Sequence, residues 1–154
     1  MVTCFLLRRG EDDDPSAVSP SGASESAKRT GQAQVLLLRR SERVGTYRGR
    51  WAGVSGYLEA SPPLEQAYRE IEEEVGLGRD VVRLLAQGET LVVPDETIDM
   101  RWTVHPFLFE VLQPEHIRLD WEHTESRWVK PDEVSALVTV PGLAEALARV
   151  YAGP

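Results

Sequence analysis

The sequence has a single cysteine, Cys4, among its 154 residues, and it is poor in basic residues. One cysteine excludes an intramolecular disulfide and argues against a zinc site built from thiolates. The 17 lysines and arginines are outnumbered by 25 aspartates and glutamates, which gives a net charge of -8. A general nucleic-acid-binding surface needs a basic patch, so this balance argues against one. We therefore expect no polymeric nucleic acid among the partners.

The sequence also lacks an apolar run long enough to span a bilayer, and it shows no signal-peptide pattern. We therefore expect a cytoplasmic protein with no membrane partner. The length and the 42% of hydrophobic residues predict one domain with a core of its own, covering residues 1–154. Residues 10–33 are rich in Ser, Asp, Ala, Gly and Pro, and this composition predicts a flexible insertion between two strands.

Apolar runs alternate with turn residues along the rest of the chain, and this pattern predicts a mixed α/β domain. One helix is predicted over residues 63–75, with Ser61 as its N-cap, Pro62 as its first residue and Gly76 as its stop. Pro106 predicts an edge or a bulge in its strand. The remaining predicted elements are strands at 2–9, 34–40, 103–112 and 126–129, one or two strands within 81–93, and a C-terminal helix at 141–151.

What the chain has in abundance is negative charge in one short segment, REIEEEVGL at residues 69–77. Residues three and four apart share a helix face, so Glu70, Glu73 and Glu74 are predicted to lie together. Three hard oxygen ligands on a rigid helix suit Mg²⁺ or Mn²⁺. Arg69 can orient one carboxylate through a charge-assisted hydrogen bond. The glutamates alone leave open a solvated acidic face, which is the commoner use of a charge run.

This segment resembles the signature of the Nudix hydrolases. In that signature a glycine, five residues, a glutamate and seven residues precede Arg-Glu-apolar-x-Glu-Glu-x-Gly-apolar. Residues 69–77 match its second half at every specified position, and Gly56 stands for its first glycine. Twelve residues separate Gly56 from Arg69, one fewer than in the family, and Ser61 or Pro62 falls where the first motif glutamate belongs. These departures bear on loop geometry more than on metal binding.

The resemblance implies a fold and an activity. The fold would be a Nudix-type α/β/α sandwich with a mixed, largely antiparallel β-sheet. The activity would be metal-dependent hydrolysis of a nucleoside diphosphate linked to another moiety, by cleavage of its pyrophosphate bond with Mg²⁺ or Mn²⁺ as cofactor. The partner would be a small nucleotide-type pyrophosphate, and a homodimer stays open because dimers are common among relatives. The alternative is a Nudix-fold module that binds or senses a nucleotide without cleaving it.

The resemblance also implies residue roles. Glu70, Glu73 and Glu74 would bind the metal, with Glu73 as base or ligand and Arg69 as the residue that orients a carboxylate. These four form the predicted catalytic set. In some family members a glutamate from a distant loop is the base, and the sequence leaves four candidates open: Asp95, Glu96, Glu122 and Glu125.

Substrate contacts are predicted mainly from the segment before the motif. Arg48 and Arg50 can reach phosphate oxygens, and Gly56 completes the predicted substrate-binding set. A tryptophan can stack a nucleobase, although packing in the core is the commoner role for each of Trp51, Trp102, Trp121 and Trp128. For His105, packing or hydrogen bonding is favoured over catalysis.

Overall fold

A computed structural model describes residues 1–9, 33–59 and 61–151. The insertion predicted at 10–33 lies, apart from its last residue, outside the described residues. The strands are β1 (Val2–Arg8), β2 (Gln34–Arg40), β3 (Trp51–Ala52), β4 (Val54–Gly56), β5 (Val82–Gln87), β6 (Leu91–Asp95), β7 (Met100–Val111) and β8 (His123–Val129). The helices are α1 (Pro63–Val75) and α2 (Leu143–Val150), with 3₁₀ turns at Arg79–Val81, Pro114–His116 and Pro131–Ala136.

The strands form one mixed sheet whose main order is β3-β2-β1-β7-β5. Strand β4 also pairs with β1, β6 with β7, and β8 with β2. Strand β1 runs parallel to β7, with Cys4 opposite Phe107, whereas the other named pairings among the described strands are antiparallel. The prediction of a mixed, largely antiparallel sheet is confirmed.

A separate apolar core covers each face of the sheet, because successive side chains of a strand point to opposite faces. In β1, Leu6 belongs to the cluster beneath α1, and Phe5 belongs to the cluster beneath α2. Helix α1 contributes Ala67, Ile71 and Val75, which are fully buried. This layering of helix, sheet and helix confirms the predicted α/β/α sandwich.

Helix α1 runs over the predicted residues and ends as predicted. Gly76 adopts the left-handed conformation with φ 74°, and its N–H donates to the carbonyl oxygen of Glu72. The predicted N-terminal cap is wrong. Pro62 occupies the N-cap position, without a side-chain cap, while the Ser61 hydroxyl accepts a hydrogen bond from Arg69 at 3.0 Å.

Strand β7 holds Pro106 inside the sheet, opposite Thr3 of the parallel strand β1, so the predicted edge position is wrong. The predicted bulge is not at Pro106 either, because the irregular pairing of β5 with β7 lies opposite Leu108 and Phe109. The proline lies between the part of β7 that pairs with β6, which ends at Val104, and the part that pairs with β5, which begins at Phe107. Because neither antiparallel partner is in register with Pro106, its missing N–H interrupts neither ladder. None of the helices among the described residues is long and apolar enough to cross a membrane.

Replacement of Ile71 by alanine should destabilise the fold. The side chain is fully buried under α1, so its removal leaves a cavity and lowers the free energy of unfolding by about 2 to 5 kcal/mol. Glu72→Ala is the matched control, because Glu72 is exposed on the same helix and its removal should cost less than about 0.5 kcal/mol. Urea unfolding measures both variants, and equal losses would contradict this packing.

Candidate active site

The carboxylate of Glu70 is held where α1 passes the end of β4. A Cβ built on Gly56 would overlap this carboxylate, so a larger residue there would displace the Glu70 side chain from its position. One turn before Glu70, the fully buried Gln66 donates from Nε2 to Glu70 Oε1 at 2.9 Å. Strand β4 and helix α1 therefore fix the position of Glu70 together.

Glu74 lies one turn further along α1 and is buried, with 2% of its surface exposed. Its Oε1 is 3.5 Å from Nε2 of His123, and its Oε2 has no hydrogen-bond partner among the described residues. Burial, a hydrogen bond that the protonated carboxyl can donate to Glu70, and the charges of Glu70 and Glu122 raise the pKa of Glu74 well above its usual value. An ionised carboxylate is stable in such a place only beside a positive charge.

Glu73 is exposed on the neighbouring turn and lines a cavity together with Glu70. Partial desolvation and the charge of Glu70 raise the pKa of Glu73, while Arg69 acts in the opposite direction. The three glutamates that helix periodicity placed together do gather at one site, with Glu74 buried behind the other two. Their roles as ligands or base remain predictions.

Of the four distant acids, Glu122 lines the same cavity. Burial and the charges of Asp120 and Glu70 raise the pKa of Glu122. Asp95 instead accepts hydrogen bonds from Tyr47 and Thr97.

The other two acids are also placed elsewhere. Glu125 pairs with Arg39 at 3.0 Å, and Glu96 is exposed and does not line the cavity. The structure thus brings one of the four candidates to the helix carboxylates.

Two residues beside Glu122 were missed by the sequence analysis. His123, the first residue of β8, has Nδ1 3.0 Å from Oδ1 of Asp120, which also accepts a hydrogen bond from the Glu122 backbone N–H. Ligand atoms of Glu74, Glu122 and His123 all lie within 4.8 Å of one another. Burial lowers the pKa of His123, which favours its neutral form. The available signal was the adjacency of His123 to an acid already under consideration.

The cavity beside these carboxylates has a volume of about 490 Å³. Its arginines are Arg40 and Arg43, which come from the end of β2 and the loop that follows. Arg48 and Arg50 are exposed and do not line it. Arg48 donates to the carbonyl oxygen of Val44 at 2.8 Å, and the Arg50 guanidinium lies 5.5 Å from the ring centre of Tyr47.

Two of the four tryptophans line the cavity, Trp102 and Trp121. Trp102 donates to the hydroxyl of Tyr47 at 3.0 Å, and its ring centre is 5.8 Å from that of Tyr57. Trp121 is 57% exposed, with the Arg43 guanidinium 5.8 Å from its ring centre.

The other predicted residues lie outside the carboxylate cluster. Trp51 packs in the core on the α2 side, and Trp128 packs against the core on the α1 side. Arg69 lies 3.6 Å from Glu59 in addition to its hydrogen bond to Ser61, so it braces the loop before α1. His105 lies 3.3 Å from the hydroxyl of Thr90, in keeping with a hydrogen-bonded role.

The sequence profile of the NUDIX domain matches residues 27–150, and the chain belongs to this family. The predicted family is confirmed, and with it the assignment to the pyrophosphohydrolase class of enzyme. None of the curated proteins matches the chain in sequence.

Solved structures share the fold at low sequence identity. A Nudix hydrolase from M. smegmatis, RenU, has a TM-score of 0.69 at 23% identity, covering 96% of this chain and 80% of its own. A C. elegans Ap4A hydrolase in a binary complex has a TM-score of 0.68 at 15% identity, and the match covers 96% of this chain and 91% of the hydrolase. The NUDIX domain of Shewanella oneidensis NrtR, complexed with ADP ribose, has a TM-score of 0.56 at 13% identity, and the match covers 97% of this chain and 84% of the NrtR chain.

Glu74→Gln should alter the pH dependence of stability in the metal-free protein. The raised pKa of Glu74 means that the folded state binds its proton more tightly than the unfolded state does. The resulting stabilisation is present below the unfolded pKa, about 4.3, and is lost as pH rises through the raised folded pKa. Glutamine does not ionise, so the variant does not lose this stabilisation. The free energy of unfolding of Glu74→Gln should therefore rise relative to that of wild type as pH rises.

Urea unfolding in the presence of a chelator, between about pH 4.5 and pH 8, measures this difference. Glu72→Gln, an exposed change on the same helix, should run parallel to wild type. Added Mn²⁺ should stabilise wild type more than Glu74→Gln at the upper pH. A difference between Glu74→Gln and wild type that does not change with pH would contradict the burial of an unpaired carboxylate.

Proposed function

We propose that the protein is a metal-dependent hydrolase that cleaves the pyrophosphate bond of a nucleoside diphosphate linked to another moiety. The observation that carries this proposal is the gathering of Glu70, Glu73, Glu74 and Glu122 beside one cavity that also holds arginines and aromatic rings. The family to which the chain belongs supports the reaction class, and the cavity supports the kind of substrate.

The carboxylates fit a hard dication. Burial and mutual repulsion raise the pKa values of Glu73, Glu74 and Glu122. Ionising all of these carboxylates together is therefore unfavourable unless a cation lies beside them. Mg²⁺ and Mn²⁺ prefer oxygen ligands, and Mg²⁺ is commonly shared between a few carboxylates and substrate phosphates. Glu70 and Glu74 would hold the ion, Glu73 would be a third ligand or the base, and Glu122 lines the same cavity. A bound ion would neutralise charge on the diphosphate and would lower the pKa of a water molecule bound to it.

The chain's own residues supply the proton acceptor. Glu73 is the exposed member of the helix cluster, and partial desolvation and the charge of Glu70 raise its pKa, the direction that makes a carboxylate a better general base. Glu122 is the second candidate, because its pKa is raised in the same direction within the same cavity. Arg69 keeps the loop before α1 in place through Ser61 and Glu59.

The far side of the cavity suits a nucleotide. Arg40 and Arg43 line the wall, and guanidinium groups bind phosphate oxygens through paired hydrogen bonds. We assign phosphate binding to these two in place of Arg48 and Arg50. The exposed ring of Trp121 lines the same cavity and can stack a base.

The names of two similar structures, an Ap4A hydrolase and a NUDIX domain complexed with ADP ribose, guide the choice of substrates for a test. Ap4A and ADP ribose both join a nucleoside to a second group through phosphoanhydride bonds. A panel of dinucleoside polyphosphates, nucleotide sugars and nucleoside triphosphates, each with Mg²⁺ or Mn²⁺, covers the proposed class.

The second candidate function is a nucleotide-binding or sensor module without turnover. The shorter loop between Gly56 and Arg69 favours it, as does the absence of the first motif glutamate. The substrate panel separates the two functions. A sensor would bind one of these nucleotides tightly and release neither phosphate nor nucleoside monophosphate from any of them.

Glu73→Gln should lower kcat by about 10²- to 10⁴-fold on the best substrate of the panel, because it removes the proposed proton acceptor. Glu72→Gln is the matched control, since it makes the same chemical change on an exposed side chain one residue away. Release of nucleoside monophosphate measures both variants. If both variants were as active as wild type, Glu73 would not be the proton acceptor.

A further inference from the structure

A buried histidine outside the glutamate motif faces the carboxylate cluster. We infer that His123 is a metal ligand through Nε2, that it forms a site of one nitrogen and two oxygens with Glu74 and Glu122, and that Asp120 is the positioning residue for its imidazole. The inference deepens the proposed function, on which it rests through the shared carboxylates. It adds a type of ligand that the REIEEEVGL segment does not contain.

The orientation of the imidazole follows from its hydrogen bond. Nδ1 of His123 lies 3.0 Å from Oδ1 of Asp120, a carboxylate that can only accept, so Nδ1 carries the proton. In the neutral ring, Nε2 then presents its lone pair to Glu74. Metal-binding histidines commonly have this arrangement, in which the second ring nitrogen donates to a carboxylate.

The spacing of the polar atoms fits an ion better than a direct hydrogen bond. His123 Nε2 and Glu74 Oε1 are 3.5 Å apart, beyond the range of a good hydrogen bond. Two ligands that are each about 2.1 Å from an ion lie roughly 3 to 4 Å apart. The ligand atoms of the three side chains all lie within 4.8 Å of one another, so shifts of under about 1 Å would bring all three to bonding distance of one ion.

A second, independent observation is the orphaned oxygen of Glu74. Its Oε2 is buried and has no hydrogen-bond partner among the described residues. If His123 only positioned Glu74, this oxygen would stay buried without a partner and would carry a desolvation cost. A cation between Glu74, Glu122 and His123 would give the oxygen a partner and would also accept the lone pair of Nε2.

A nitrogen ligand changes which metals the site prefers. Sites made of carboxylates and water suit Mg²⁺, whereas an imidazole raises the affinity for transition metals. The site should therefore bind Mn²⁺ more tightly than Mg²⁺. His123→Gln should weaken Mn²⁺ binding more than Mg²⁺ binding, so the two affinities should lie closer together in the variant.

The test is pulsed electron paramagnetic resonance on the full chain loaded with Mn²⁺ alone. The wild-type spectrum should show coupling to the ¹⁴N nucleus of an imidazole, and His123→Gln should abolish it. The chain has three histidines, so His105→Gln and His116→Gln complete the set, and both should keep the coupling. Asp120→Asn should weaken Mn²⁺ binding by about 10- to 100-fold, the range for loss of an orienting partner.

Bound Mn²⁺ without ¹⁴N coupling in wild type would overturn the inference, and so would coupling that survives in His123→Gln. The wild-type spectrum decides even if a variant fails to fold. Failure of the proposed function gives a different result, because a chain that hydrolyses no member of the substrate panel would still show the ¹⁴N coupling.

Discussion

The site depends on a carboxylate, that of Glu74, which is buried beside other acids with no lysine or arginine paired to it in the described part of the chain. Glu74 is 2% exposed, and one of its oxygens has no partner among the described residues. Such an arrangement is unfavourable unless the group holds a proton or an ion lies beside it. The rest of the site can be understood as the scaffold that keeps this unfavourable charge in place.

The sheet and its helices supply that scaffold. Ile71 and Val75 bury one side of α1 in the core, which leaves its acidic turns facing the end of β4 and the start of β8. Gly56 allows Glu70 to approach β4, and Gln66 holds its carboxylate. Because the helix is anchored by apolar packing, the acids cannot move apart to relieve their repulsion. The energy of the core thus keeps the acids together at the site where we propose that a cation binds.

The helix and its three clustered glutamates could be predicted from sequence, because helical periodicity is local and the spacing of the acids alone sets their common face. The start of β8 could not be predicted in the same way. Glu122 stood among four equivalent acids, and its place beside Glu74 depends on the pairing of β8 with β2. His123 gave no local signal beyond its neighbour, because its role depends on contact with a helix distant in sequence.

The arginines show the same limit. Arg48 and Arg50 lie nearest to the motif in sequence, but the loop after β2 folds back, with the Gly49 N–H donating to the carbonyl oxygen of Arg40. That turn brings Arg40 and Arg43 to the cavity in their place. Proximity in sequence could not show which arginines line the cavity, because the path of a loop is set by tertiary hydrogen bonds that composition does not reveal.

The most direct test of the central claim is a calorimetric titration of the metal-free protein with Mn²⁺, in buffers of different ionisation enthalpy. Ligands must be deprotonated to bind, so carboxylates with raised pKa values should release protons as the ion enters. We expect a net release that grows as pH falls from about 8 to about 6. Binding without proton release at either pH, or no binding at all, would contradict a buried carboxylate cluster completed by a cation.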